Sequence, residues 1–244
     1  GRSFEELLKR GGSLASLTSQ EVTLADVPGG IIPVPALRED PGDVHLEEKQ
    51  ELLSGIEKGA RIDGIKSTRA SYIERTETVR FENSSGEEYS YSLCRSGFSI
   101  MAIAEREGDM QMGYVRKHAI QDFNLRHRQE CGNVAATRAI ALLDARAPRG
   151  GAMNAVLDPE LAGVFAHEAV GHASEADLVQ EGGSVLEGTI GRQIASPSVT
   201  IVDDPSLPEF GFEPLDAEGS RVGRTEIIRK GRVQAFLHNR ETLA

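Results

Sequence analysis

Hydrophobic positions change their period along the chain, and each period predicts a different kind of element. Between residues 44 and 58, four aliphatic side chains recur at near-helical spacing, with charged residues between them and Gly59 after them. This pattern predicts a helix over 44–58. The same spacing of alanines and leucines predicts a second helix over 131–147, with Leu142 turned inward.

Between residues 60 and 122 the hydrophobic period becomes two, which is typical of strands with one buried and one polar face. The turn sequences Asn83–Gly86 and Glu107–Asp109 predict hairpin connections. We therefore predict an antiparallel meander, with Cys94 as a small buried residue within it. Six short strands are predicted, over 62–65, 71–75, 78–81, 89–93, 98–104 and 110–117.

The two ends of the chain have weaker patterns. The first residues predict a short amphipathic helix that ends at Gly11–Gly12, followed by an extended connector rich in proline and glycine. After residue 150 we predict a short strand over 153–157, a helix that starts at Asp158, and a strand over 198–203. A final hairpin is predicted over 225–229 and 232–237, joined across Lys230–Gly231.

Together these elements predict an α+β fold. An antiparallel β-sheet domain with flanking helices is followed by a β-rich domain that carries a candidate metal-binding helix. We divide the chain into a connector with the tail of an earlier domain (1–44), a middle domain with the meander (45–149) and the start of a β-rich domain (150–244). The last division is expected to be incomplete, because the pattern stops on a hairpin.

Composition narrows the possible functions. The 244 residues carry a formal net charge of −11, which argues against a nucleic-acid partner or an anionic membrane surface. No apolar run has the length of a transmembrane helix, and the start has no signal-peptide pattern. Two cysteines in unrelated contexts make a disulfide framework a poor fit, so we expect a reducing, cytoplasmic setting.

The candidate chemistry lies in His167-Glu168-Ala169-Val170-Gly171-His172. Two imidazoles can bind Zn²⁺, and a neighbouring carboxylate can take a proton from water at the metal. At about 100° per residue, histidines five positions apart lie roughly 140° apart on an ideal helix. They converge only if the helix widens or breaks, and Gly171 is placed to allow this. We therefore expect His167 and His172 as metal ligands and Glu168 as general base.

The spacing leaves alternatives open. The segment could instead be a core helix that ends at Gly171, with two ordinary histidines. Glu175 could be a third ligand, or it could orient a ligand histidine, which we favour; Asp177 has the same ambiguity. The acidic set Asp203, Asp204, Asp216 and Glu218 could bind Ca²⁺ or Mg²⁺, but turn-capping carboxylates are the favoured interpretation. A substrate contact by His238, Asn239 and Arg240 is a weaker hypothesis.

The same hexapeptide, followed by Glu175-Ala176-Asp177, resembles the HExxxH signature of the TldD/PmbA family of metallopeptidases. Three later blocks resemble that family as well, at 202–205, 216–219 and 237–242. The intact His-Glu-His makes the chain similar to the active TldD type, since the PmbA type lacks it. The resemblance implies zinc-dependent hydrolysis of unfolded or short peptides, bound as an added β-strand.

The resemblance also carries expectations about ligands and partners. It implies a third zinc ligand from a late C-terminal cysteine, which has no counterpart here because Cys94 and Cys131 precede the motif. It implies a homodimer or a heterodimer with a family paralogue, and further chain at both ends. There are two alternative functions. The chain could be a non-catalytic scaffold or partner subunit of the same family, or it could be a metal-dependent amidase.

Overall fold

A computed structural model gives the structure of residues 4–17 and 21–244, and its mixture of helices and antiparallel sheets confirms the α+β prediction. Within the described residues, the strands form two separate three-stranded sheets. The helices are α1 (Phe4–Ala15), α2 (Leu46–Ala60), α3 (Glu130–Leu143), α4 (Pro159–Ala166) and α5 (Ala176–Gln180). The strands are β1 (Ile65–Glu82), β2 (Glu88–Arg106), β3 (Asp109–Ile120), β4 (Ile201–Asp203), β5 (Thr225–Arg229) and β6 (Arg232–Val233).

The first sheet is an antiparallel meander in the order β1-β2-β3, as predicted, but its strands are longer than expected. Five of the six predicted strands extend or merge into these three, because pairing continues without a break through positions such as Ser96 and Gly97. The strand predicted over 62–65 is wrong, because residues 63 and 64 form a turn and β1 starts only at Ile65. The turns lie where the sequence places them. Asn83 Oδ1 accepts the backbone N–H of Glu87, and Gly108 has the positive φ that a tight turn requires.

Helices α2 and α3 pack on one face of this sheet over an aliphatic core. The helices approach each other closely at Gly132, where an added Cβ would lie 2.0 Å from the carbonyl oxygen of Ile56. Both cysteines are free thiols and buried, which confirms the prediction for Cys94. Core side chains include Ile56, Phe98, Ile100, Ala102, Leu125, Ala135 and Ala139.

The second sheet is small. The β5–β6 hairpin turns through Lys230 and Gly231, both with positive φ, as the sequence predicts. Strand β4 starts at Ile201 rather than at residue 198, and β6 ends at Val233. The strand predicted over 153–157 is wrong, because that segment is irregular and Val156 is fully exposed.

The predicted end of the first helix is also wrong, because α1 runs through Gly11 and Gly12 to Ala15. A glycine lowers helix propensity by about 1 kcal/mol but does not forbid the helical conformation. Helix α3 ends at Leu143, four residues before the predicted end, and Leu142 is exposed rather than inward.

Two compact units interleave along the chain. Residues 163–202 and 225–244 group with the N-terminal segment up to Pro28, and residues 29–162 group with 203–224. The linear division at residues 44 and 149 stays a prediction. In the described ranges, no helix is both long and apolar enough to cross a bilayer.

Candidate metal centre

The helix that carries the histidines begins as its sequence predicts. Asp158 Oδ1 accepts the backbone N–H of Leu161 at 2.8 Å, and the Asp158 carbonyl accepts that of Ala162. Pro159 occupies the first helical position, where a missing N–H has no cost. The hydrogen bonds to Asp158 satisfy backbone groups at the start of α4 and stabilise its first turn.

The turn after α4 is widened. Residues His167–Gly171 form a π-helical turn, and the backbone N–H of His172 donates to the carbonyl of His167, five residues back. This is the distortion that the i, i+5 spacing requires. Gly171, however, has φ −53° and ψ −61°, so the turn does not use the conformational freedom for which glycine was predicted.

The widened turn brings the three predicted site residues together. The ring centroids of His167 and His172 are 4.5 Å apart, with an interplanar angle of 70°. One ligand atom from each histidine and a carboxylate oxygen of Glu168 all lie within 4.8 Å of one another, and all three residues are exposed.

This donor set fits a zinc ion. Two nitrogens that bind one zinc at about 2.0–2.1 Å lie roughly 3–4 Å apart, which small side-chain movements would achieve here. Imidazole nitrogen and carboxylate oxygen are donors that zinc accepts in proteins. The third protein ligand is unassigned, since Cys94 and Cys131 are buried elsewhere and neither joins a metal-type cluster in the described residues.

The competing core-helix interpretation does not fit this segment. None of residues 159–171 is buried. The apolar side chains Leu161, Val164 and Phe165 are 53%, 48% and 64% exposed. The histidines therefore lie on an open surface rather than in a packed core.

Glu175 contacts the site through a histidine. Its Oε1 lies 2.8 Å from Nδ1 of His172, and it is not a member of the convergent group. Asp177 instead accepts the backbone N–H of Leu178 with its carboxylate, at the start of α5. Of the two ambiguous acids, Glu175 is the one whose carboxylate contacts a candidate ligand and could orient it.

A segment near the end of the chain supports the second histidine, and sequence analysis did not find this. The N–H of Leu237 donates to the carbonyl of Ser174 at 2.8 Å, and the N–H of Ala176 donates to the carbonyl of Leu237 at 2.9 Å. No local sequence pattern predicts a pairing between residues more than 60 positions apart, although the block at 237–242 was singled out for its resemblance.

The other residues of that block hold a loop. His238 Nδ1 lies 3.2 Å from both the carbonyl and the hydroxyl of Thr242, and Asn239 Oδ1 accepts the Thr242 N–H. Arg240 Nε donates to the carbonyl of Ala25. Each of the three polar side chains therefore has a structural hydrogen-bond partner. A contact between these side chains and a substrate stays a hypothesis.

The acidic set caps turns, as favoured from the sequence. Asp204 Oδ1 accepts the N–H of Ser206, and Asp216 Oδ1 accepts the N–H groups of Glu218 and Ser220. Burial, with a smaller effect from the Asp204 carboxylate, raises the pKa of Asp203. These four acids do not form a cluster of metal ligands in the described chain.

A cavity of about 570 Å³ lies on the helix-free face of the meander, but its side chains do not form a catalytic set. Arg95 is the most buried cation of this cavity. Its guanidinium donates hydrogen bonds to the carboxylates of Glu77 and Glu213 and to the backbone carbonyls of Phe210 and Phe212. The cavity therefore offers paired charges, and its side chains form no group of candidate metal ligands within the described residues.

Comparisons with known proteins give the family of the chain. A family model described as the PmbA/TldA metallopeptidase central domain matches residues 39–143, and one for the C-terminal domain of the same family matches 150–244. The chain is 39% identical over 205 residues to a metalloprotease of Methanothermobacter thermautotrophicus, covering 83% of this chain and 45% of that protein.

Two further relatives extend the comparison. The chain is 30% identical over 188 residues to a zinc metalloprotease TldD homolog of Saccharolobus solfataricus, covering 72% of this chain and 40% of that one. A crystal structure from Bacteroides thetaiotaomicron, of a protein named as a candidate modulator of DNA gyrase, superposes with a TM-score of 0.85 at 20% identity. It covers 98% of this chain and 56% of that one, and shows the fold alone. The chain spans about half the length of the curated relatives it matches.

Proposed function

The chain belongs to the PmbA/TldD metallopeptidase family, and from that premise we propose that it is part of a zinc-dependent peptidase that cleaves unfolded or short peptides. The observation that carries the proposal is the widened turn, which brings the rings of His167 and His172 together edge to face beside Glu168. Histidines five residues apart on a regular helix would point in different directions. The widened turn removes this divergence, as the binding of one ion by both histidines requires.

Each residue has a distinct role in the proposed chemistry. His167 and His172 would hold the zinc, and the bound ion would supply Lewis-acid chemistry for peptide hydrolysis. Glu168 would accept the proton of the attacking water, and would later donate it to the leaving amine. An oxygen of its exposed carboxylate lies within 4.8 Å of a ligand atom of each histidine, which supports this role.

The open surface around the site suits an extended substrate. A peptide bound as an added strand contributes mainly backbone hydrogen bonds, which suits substrates of varied sequence. We propose that the functional protein is a homodimer or a heterodimer with a family paralogue, and that a ligand for the third zinc position comes from outside the described residues.

Peptide cleavage by the full-length protein tests this proposal. Disordered peptides are incubated with the protein, with and without a zinc chelator, and products are identified by mass spectrometry. Glu168→Gln should lower kcat by a factor of at least about 10² while zinc binding stays within a few fold. The matched control is Glu181→Gln, an exposed acid in the turn after α5, which should leave both unchanged.

A non-catalytic role is the second candidate, and one observation favours it: no cysteine joins the two histidines in the described residues. In that case the full-length protein would retain less than stoichiometric zinc after metal-replete purification. It would also cleave no peptide with any partner subunit. Cleavage of small amides but not of peptides would instead indicate the amidase alternative.

A further inference from the structure

The carboxylate of Glu175 contacts a candidate ligand without joining the metal-type group. Its Oε1 is 2.8 Å from Nδ1 of His172, three residues earlier in the chain. The residues whose ligand atoms converge, within the described chain, are His167, Glu168 and His172. The contact therefore acts on one ring nitrogen of His172 and leaves the other for a different partner.

We propose that Glu175 is a positioning residue that holds His172 as the Nδ1–H tautomer, so that Nε2 is the nitrogen that binds the metal. An ionised carboxylate only accepts hydrogen bonds, so a neutral imidazole beside it must carry its proton on Nδ1. The lone pair then lies on Nε2. The inference rests on the proposed function for the metal and for His172 as its ligand, whereas the tautomer of His172 is tested without either.

The backbone on both sides of Glu175 is fixed, which gives the carboxylate a defined starting point. Ser174 is fully buried, and its Oγ donates to the carbonyl of Gly171 at 2.7 Å. Ser174 and Ala176 both bond to the backbone of Leu237, and Glu175 lies between them in an extended conformation. Glu175 ends the short turn that starts at His172, and its side chain extends back toward the ring of His172.

The hydrogen bond has two physical effects on the ligand. It selects one tautomer of the two that a free imidazole adopts, and it restrains rotation of the ring about its bond to Cβ. Both effects remove freedom that His172 would otherwise lose when the metal binds. In metal sites such a partner raises the basicity of the ligand, and its loss weakens metal binding about 10–100-fold.

Nitrogen NMR of the metal-free, full-length protein tests the tautomer directly. Ring ¹⁵N shifts are recorded at about pH 8.5, where an ordinary imidazole is neutral, and His172 is assigned by its loss in His172→Gln. We expect the Nδ1–H pattern in wild type and a shift toward Nε2–H in Glu175→Ala. An Nε2–H pattern in wild type, or a pattern that Glu175→Ala does not change, overturns the inference.

Zinc affinity, measured by competition with a chelator, tests the consequence. Glu175→Ala should weaken binding about 10–100-fold, and Glu175→Gln, which keeps an acceptor oxygen without the charge, should lie between it and wild type. Asp177→Asn removes a nearby exposed charge that does not contact His172, and should stay within about threefold. An equal loss in Asp177→Asn would show a general charge effect and would overturn the inference.

Cobalt substitution separates positioning from direct ligation. If Glu175 only orients His172, the visible absorption of the Co²⁺ form keeps its band positions and intensity in Glu175→Ala at saturating metal. A change to the spectrum of a site with fewer ligands would identify Glu175 as a ligand and overturn the inference. Failure of the proposed function looks different: wild type would bind no zinc, while the NMR result would still hold.

Discussion

Replacing Gly171 by alanine tests the widened turn at its last residue. Gly171 lies in the right-handed helical region, with φ −53° and ψ −61°. An added Cβ would lie 3.6 Å from Nδ1 of His167 and 3.9 Å from the carbonyl oxygen of Ala166, which are ordinary van der Waals distances. Neither backbone strain nor a clash therefore opposes the change, and the unfolded chain loses conformational entropy.

We expect Gly171→Ala to raise the free energy of unfolding by about 0.5–1 kcal/mol. Zinc affinity should stay within about threefold, because the ring positions do not depend on a glycine conformation. Two control substitutions show how the free energy of unfolding responds when a glycine does or does not need its conformational freedom. Gly163→Ala, on α4 with open space around its Cβ, should stabilise by a similar amount. Gly182→Ala, at φ +73°, should destabilise by about 1–2 kcal/mol.

Urea unfolding followed by circular dichroism gives the three free energies, and calorimetry gives the zinc affinity. The reasoning is refuted if Gly163→Ala stabilises the protein while Gly171→Ala destabilises it by more than about 1 kcal/mol. A zinc affinity lowered by ten times or more in a folded Gly171→Ala protein would refute it as well. Either result would show that the wide turn needs glycine, as the sequence alone suggested.

Three further predictions concern stability. Gly132→Ala should lower the free energy of unfolding by about 3 kcal/mol or more, measured by urea unfolding, because its Cβ would meet the carbonyl oxygen of Ile56 at 2.0 Å; an unchanged midpoint would contradict the helix contact. Asp158→Ala should lower it by about 0.5–2 kcal/mol through loss of the helix cap, and Asp158→Asn should restore most of the loss. A hydrogen bond from Thr68 holds the pKa of Glu57 below its usual 4.5, so Glu57 stabilises the fold above that pH. Glu57→Gln should therefore have a lower free energy of unfolding than wild type, and the difference should shrink as the pH falls below 4.5 toward the lowered pKa. A difference in the free energy of unfolding that does not depend on pH would refute this.

The candidate site was predictable because its requirement is local. Two histidines five residues apart can share a metal only on a distorted turn, so the spacing itself predicted the widening after α4. The N-cap at Asp158 has the same local character. Gly171 was misinterpreted because glycine permits unusual backbone angles without requiring them.

The strand lengths were less predictable. Alternation of apolar and polar side chains shows which residues face the core, but it does not show where pairing stops. Ser96 and Gly97 look like a break in the sequence, yet both pair with the neighbouring strands, and Ser96 is buried with its Oγ bonded to the carbonyl of Asp122. The short run at 153–157 shows the reverse case, since apolar residues without a partner strand form no sheet.

The backbone supports of the site could not be predicted. The pairing of Leu237 with Ser174 and Ala176 depends on backbone groups far apart in sequence, and backbone hydrogen bonds have no residue signature. For Glu175 the sequence favoured a partner of His172 over a metal ligand, and the structure adds the contact between Glu175 and His172, which the sequence spacing alone could not show.

Anomalous diffraction at the zinc edge, from crystals of the full-length protein grown with zinc, tests the shared metal most directly. One peak should appear at about 2.0–2.1 Å from a ring nitrogen of both His167 and His172. Saturating zinc that gives no peak at these rings, or a peak bound to only one of them while the other points away, would contradict the account.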